Sequence, residues 1–336
     1  MIDRETLLEV FDIAERRRNE RRRFIKMAGT AVAATAGASM LAACGNDDDQ
    51  YAPPVTPTPT PTSTAGLPAG DVDVLNFALN LEYLEANYYT FAAFGSGINS
   101  TVQTGTGTQG TVTGGAKVPF ADASVAAYAR EIAADENQHV AFLRQQLGSS
   151  AVAMPAINID GGANGAFTAA ARAAGVVGAT GTFNPYASDE NWLLGGMLLS
   201  DVGVTAYKGS ASLISNKVIL DAAAGILAVE AYHSGLLRTL LYRKGLAMPA
   251  LRTNADLISN ARDTVDNGFD DDQGISPTTI NGGAASNIVP ADSNGIVFGR
   301  TAGDVLNVAY LNAGAVSSGG FFPAGVNGNI KTSTAA

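Results

Sequence analysis

Cysteine is almost absent from this chain: the 336 residues contain one, Cys44. A single cysteine excludes an intramolecular disulfide and a cysteine-built zinc site. Histidine is nearly as scarce, with only His139 and His233. Charged residues make up 15% of the chain and leave a formal net charge of −10, which argues against nucleic acid as a partner. The glycine-rich pieces lack a phosphate-loop lysine and a strand–helix context, so nucleotide binding is discounted. The acidic "DDD" at 270–272 lacks EF-hand spacing and reads as a solvated loop rather than a calcium site. What the chain does have is apolar residues, 46% of the total, enough to fill one large domain or two small ones.

The N-terminal stretch "ERRRFIKMAGTAVAATAGASMLAACGNDDD" has the order of a cleavable export signal: basic residues, an Ala-rich apolar run, then small residues. Gly29 and Gly37 interrupt the run, which argues against a permanent membrane helix. "RRRFIK" resembles a twin-arginine export motif, with Arg21 and Arg22 as the pair and Phe24 and Lys26 in place. "LAAC" resembles a lipoprotein processing site, with Cys44 as the lipid acceptor. Removal of residues 1–43 leaves 13 basic and 25 acidic residues. Residues 44–70 are rich in Pro and Thr and read as an extended tether of roughly 3 Å per residue. The expectation is a lipoprotein held to a membrane through Cys44 on the periplasmic side of the cell envelope, exported by the twin-arginine route.

Beyond the tether, apolar residues recur at intervals of three and four in four stretches, 71–95, 122–148, 188–209 and 215–245. Asp or Ser stands at each of the four starts, and Gly at each of the four ends. A Gly/Thr-rich insertion, read as a hairpin, joins the first two. About forty residues join the second and third, with a short helix expected at "GAFTAAARAAG". A long crossover in the middle of four helices is the connectivity of ferritin-like bundles. The expected architecture is all-α: a four-helix bundle over 71–250, then an extension over 251–336 packed on it, with helices at "NADLISNARDTVDNG" and "TAGDVLNVAYLN".

Each of the two histidines has a glutamate three residues before it: Glu136 before His139, and Glu230 before His233. Glutamate occupies 10 of 336 positions, so this coincidence has a chance of about one in a thousand. Residues three apart share a helix face, so each pair offers a carboxylate and an imidazole to one point. The first helix adds Glu82 and Glu85 within an apolar run, where a charge is costly unless paired or metal-bound. Comparison of the halves selects Glu82: Tyr89 follows it by seven, as Tyr207 follows Ser200. On that alignment Glu85 matches Gly203, and the third helix presents a serine where a carboxylate is wanted, with Asp201 beside it. Either Ser200 or Asp201 serves that position.

Glu82, Glu136, His139, Asp201, Glu230 and His233 together resemble the ligand set of the ferritin-like di-metal carboxylate superfamily. "DVDVLNFALNLEYLEANYY", "DVGVTAYKG" and "SGGFFPAGVNGNI" resemble, more narrowly, the desiccation-related proteins of bacteria and plants. The resemblance implies a closed bundle with a di-metal site; the donor set suits iron or manganese, with zinc also compatible, and the leading expectation is a reaction with peroxide or oxygen that protects against oxidative or drying stress. The alternative is a non-catalytic envelope protein with a structural metal. The tether, insertion and extension are all awkward for a closed storage cage.

Overall fold

The computed structural model describes residues 67–266 and 268–336. The signal segment, Cys44 and nearly all of the tether lie outside the described residues.

Four long helices form where the apolar spacing places them. Helix α1, Ala69–Phe94, starts after Pro68 and ends at Gly95, which takes a left-handed conformation and returns its N–H to Phe91 O. Helix α2, Ala123–Leu147, is capped by the Asp122 carboxylate, which accepts from the Ser124 and Val125 amides. The crossover contains the short helix α3, Ala166–Ala173. Helix α4, Asp189–Ser210, is capped by Ser188, with Asp189 and Glu190 in its first turn. Helix α5, Lys217–Lys244, is capped by Asn216 and ends in Arg243 and Lys244, the charge order a helix dipole favours.

The helices pack as two pairs, α1 with α2 and α4 with α5, and α1 lies against α4. Helices α1 and α4 are buried on most sides, as their nearly continuous apolar sequence requires. Helices α2 and α5 each bury one stripe: Ile132, Glu136, His139 and Leu143 on α2, and Ile226, Glu230, His233 and Leu237 on α5. Each E-x-x-H pair continues its apolar stripe and therefore points into the bundle centre.

The Gly/Thr insertion does not fold back on itself as a hairpin. Its strand β1, Val112–Gly114, pairs in parallel with β2, Ile157–Ile159, from the crossover. Gly110 runs so close to this segment that a Cβ there would collide with the backbone of Ala156. The insertion and the crossover thus stitch one flank of the bundle together.

After α5 come α6, Ala250–Val265, a hairpin of β3, Thr278–Ile280, and β4, Gly283–Ala285, and α7, Ala302–Tyr310. Thr301 and Asp304 form a capping box at the start of α7. The chain then returns to α1, where Asn80 donates to Asn327 O at 2.9 Å and accepts from Asn327 N at 3.0 Å. No described helix is long and apolar enough to cross a membrane.

Candidate metal centre

Side chains from α1, α2 and α5 converge at the middle of the bundle. One ligand atom each from Glu82, Glu136, His139 and Glu230 lies within 4.8 Å of the others, and all four residues are buried. His139 Nδ1 stands 3.2 Å from Glu82 Oε2, 3.4 Å from Glu230 Oε1 and 3.6 Å from Glu136 Oε2. His233 sits beside this group, its Nδ1 3.0 Å from Glu136 Oε1 and its Nε2 3.1 Å from Asp135 Oδ2. The contact with Asp135 fixes the imidazole ring with Nδ1 facing the cluster.

Helices α1 and α4 contribute through two tyrosines. The Tyr207 hydroxyl, from α4, donates to Glu82 Oε1 on α1. The Tyr89 hydroxyl, from α1, shares a 2.7 Å hydrogen bond with Ser200 Oγ on α4, and Ser200 donates to Glu85 Oε2 at 3.3 Å. These crossed contacts reproduce in space the pairing of Glu82 with Ser200 and of Tyr89 with Tyr207 read from the halves of the sequence. They also bring in Glu85, which the sequence comparison set aside. Gly203 explains why: a Cβ there would stand 2.9 Å from both Glu85 Oε1 and Glu230 Oε2. The glycine is the opening that Glu85 fills. The available signal was a second acid three residues after Glu82, on the same helical face, opposite a position with no side chain.

The ferritin-like domain pattern matches residues 70–243, the span from α1 to the end of α5. The desiccation-related protein PCC13-62 of Craterostigma plantagineum is 30% identical over 271 residues, covering 76% of this chain and 83% of that protein. The chain belongs to the ferritin-like, desiccation-related family. A further relative, ferritin-like catalase Nec2 of Nesocodon mauritianus, is 28% identical over 275 residues, covering 80% of this chain and 86% of that protein. No solved structure shows a significant match.

In this ferritin-like bundle Asp201 is not brought to the cluster, and the expectation that it supplies a ligand is corrected. Neighbouring helical positions point about 100° apart, and Asp201 faces the extension. Its Oδ2 pairs with Arg238 Nη1 at 2.8 Å and Arg262 Nη2 at 3.0 Å, and its Oδ1 accepts from Ser234 at 2.5 Å. Arg262 also grips Asp272 through Nε and Nη2, both at 2.9 Å, and Arg300 pairs with Asp272 and Asp266. The run at 270–272 is therefore not wholly a solvated loop: Asp272 is buried in this network.

The remaining donors fit a metal. The buried atoms Glu136 Oε2 and Glu230 Oε2 have no hydrogen-bond partner, a costly state that a cation relieves. Burial raises the Glu82 carboxyl to about 8 although His139 opposes the shift. Burial, with the charges of Glu230, Glu136 and Glu82, holds Glu85 well above its ordinary range. Glu136 goes the other way: burial opposes its charge, but the neighbouring His139 imidazole and the hydrogen bond to His233 outweigh it and hold the group at about 2. His233, though buried, is raised to about 10 by Asp135 and Glu136. Crowded carboxylates thus share protons to limit their charge, a role that a bound cation would take over. Four carboxylates and two imidazoles suit iron or manganese, and zinc is also compatible.

A surface groove approaches the cluster at His233. A groove of about 730 Å³ between α2 and α5 is lined by Tyr128, Asp135, Tyr232, His233 and Arg243 among others. It ends at His233 and its partner Asp135.

Proposed function

We propose that this protein binds two metal ions, iron or manganese, and uses them to react with hydrogen peroxide or dioxygen. The observation that carries the reading is the pair of orphaned oxygens, Glu136 Oε2 and Glu230 Oε2, amid the buried convergence of Glu82, Glu136, His139 and Glu230, with Glu85 and His233 beside it. Glu82, Glu136 and Glu230 would hold the ions through carboxylate oxygens, and His139 and His233 through ring nitrogens. Glu85 would supply the further carboxylate for which Ser200 and Asp201 were considered.

A redox metal supplies reversible electron exchange with an oxygen–oxygen bond. The chain's own residues do the rest. Asp135 holds His233 in one orientation. The Tyr207 hydroxyl, kept protonated by burial and by Glu82, donates to Glu82 and fixes its carboxylate. The α2–α5 groove admits a small polar oxidant, and the apolar walls of α1 and α4 exclude bulk water. That a relative carries the name catalase supports peroxide as the substrate. Metal analysis of the purified protein followed by oxygen evolution from hydrogen peroxide tests the reading. Iron or manganese with turnover supports it. A tightly held zinc without turnover overturns it and favours a structural metal in a non-catalytic desiccation protein.

The reading extends to place. The basic run, the LAAC site and the Pro/Thr stretch support a lipoprotein exported through the twin-arginine route and anchored at the cell envelope. Cys44→Ser should move the mature protein from membrane to soluble fractions. Membrane retention of this variant in high salt, with no lipid on the wild type, would remove the anchor from the proposal.

A further inference from the structure

Two cavities lie along α4 where it packs on α7, whereas the solvent groove runs between α2 and α5. The inner one, about 30 Å³, is bounded by α1, α4 and α7, and its lining is apolar except for Glu85. The outer one, about 50 Å³, is bounded by α3, α4, α6 and α7, and its lining is apolar except for Arg262. Leu198 and Val308 line both, so these side chains form the common wall. The outer cavity reaches Ala173 and Val176 at the end of α3, where Ala173 is exposed to solvent.

The inner cavity ends at the cluster. Gly203 belongs to its lining, and a Cβ on Gly203 would stand 2.9 Å from Glu85 Oε1 and Glu230 Oε2. At this point the wall is bare backbone against two carboxylates of the centre. Both cavities exceed the roughly 10–15 Å³ that one water needs, but a resident water also needs two to four polar partners. The outer cavity does not provide them: Arg262 is committed to Asp201, Asp272 and the Met197 carbonyl. Apolar cavities of this kind stay dry and take up apolar gases.

We propose that the two cavities joined at Leu198 and Val308 form a route for dioxygen between the surface near α3 and the Glu/His cluster. The inference rests on the peroxide and dioxygen chemistry proposed above. Disproportionation converts two hydrogen peroxide molecules to two waters and one dioxygen, one peroxide being reduced and the other oxidised. Peroxide, water and protons are polar and match the groove at Asp135 and His233. Dioxygen is apolar and matches the cavity chain. Leu198 and Val308 are buried but border space on both sides, and rotamer hops of these two side chains open the common wall.

Crystals of the metal-loaded protein under xenon pressure test the route. Anomalous peaks are expected in both cavities. An empty inner cavity, or no xenon in either, overturns the proposal. Leu198→Phe fills the common wall, and the inner peak should vanish with metal content unchanged. Oxygen evolution should then show kcat lowered several-fold with KM for peroxide unaltered. Val308→Leu serves the same purpose should the phenylalanine prevent folding. Loss of the inner xenon site with kcat unchanged also overturns the route. The two readings fail separately. Turnover without xenon defeats the route alone, and xenon in both cavities of a metal-loaded protein without turnover defeats the peroxide chemistry and leaves the gas site.

Discussion

Asp201→Ala should weaken the fold substantially and leave the metal content unchanged. Asp201 is 4% exposed, and Arg238 and Arg262, which it faces, are 0% and 1% exposed. Removing one partner from a buried ion pair costs about 3–5 kcal/mol, because the remaining charge is left uncompensated. Two features place this case near the lower end. Arg238 keeps its bonds to the carbonyls of Gln273, Gly274, Asn287 and Ile288. Arg262 keeps both bonds to Asp272. The expected loss is then about 3 kcal/mol, which lowers Tm by roughly 6 °C at about 2 °C per kcal/mol, the low end of the range because the chain is long. Thermal unfolding followed by circular dichroism, with metal analysis of the same preparations, reads both quantities. An unchanged Tm together with the loss of about one metal ion per chain would show that Asp201 is a ligand and would refute the reasoning.

His139→Ala and His233→Ala should each lower metal content while preserving helicity, since the apolar stripes of α2 and α5 remain; elemental analysis and circular dichroism check this. Gly203→Ala should force apart Glu85 and Glu230, costing about 1–3 kcal/mol by overpacking, with altered metal stoichiometry as the second readout. Asp263 supplies a pH test. Burial raises its carboxyl to about 6 although the Asp272 amide opposes the shift, so the folded state holds this proton more tightly than the unfolded one. Its contribution is present below about pH 4 and lost as pH rises through 6, and because the group is half-buried it stays under about 1 kcal/mol. Asp263→Asn should therefore flatten the fall in Tm between pH 4 and 7 relative to wild type, and identical slopes would count against the assignment.

The parts of this structure that were legible in the sequence are those fixed locally. Caps at Asp122, Ser188 and Gly95 mark helix ends to within about two residues, because each satisfies backbone groups of its own helix. The E-x-x-H pairs were legible because helical geometry alone puts residues three apart on one face. What stayed hidden depends on distant partners. Arg238 and Arg262 look like ordinary surface cations, and Asp201 meets them 37 and 61 residues downstream. The pairing of β1 with β2 joins segments some forty-five residues apart, and three-residue strands carry little pattern of their own. Glu85 was set aside because Gly203 looked like a missing ligand, when its small size makes room for one.

The arginine network bears on where this protein can be cut. Sequence similarity to the ferritin-like domain stops at residue 243, an inviting place for truncation. Energetically the chain has no seam there. Arg238, inside the bundle, has four carbonyl partners at residues 273, 274, 287 and 288, and Asp201 holds Arg262 from α6. A fragment ending at 243 would keep the Asp201–Arg238 pair but strip the guanidinium of those carbonyls and uncover the apolar side of α4 against which α6 and α7 pack. The last ninety residues thus complete the packing of the bundle, and a boundary drawn at 243 cuts through buried bonds rather than between two bodies.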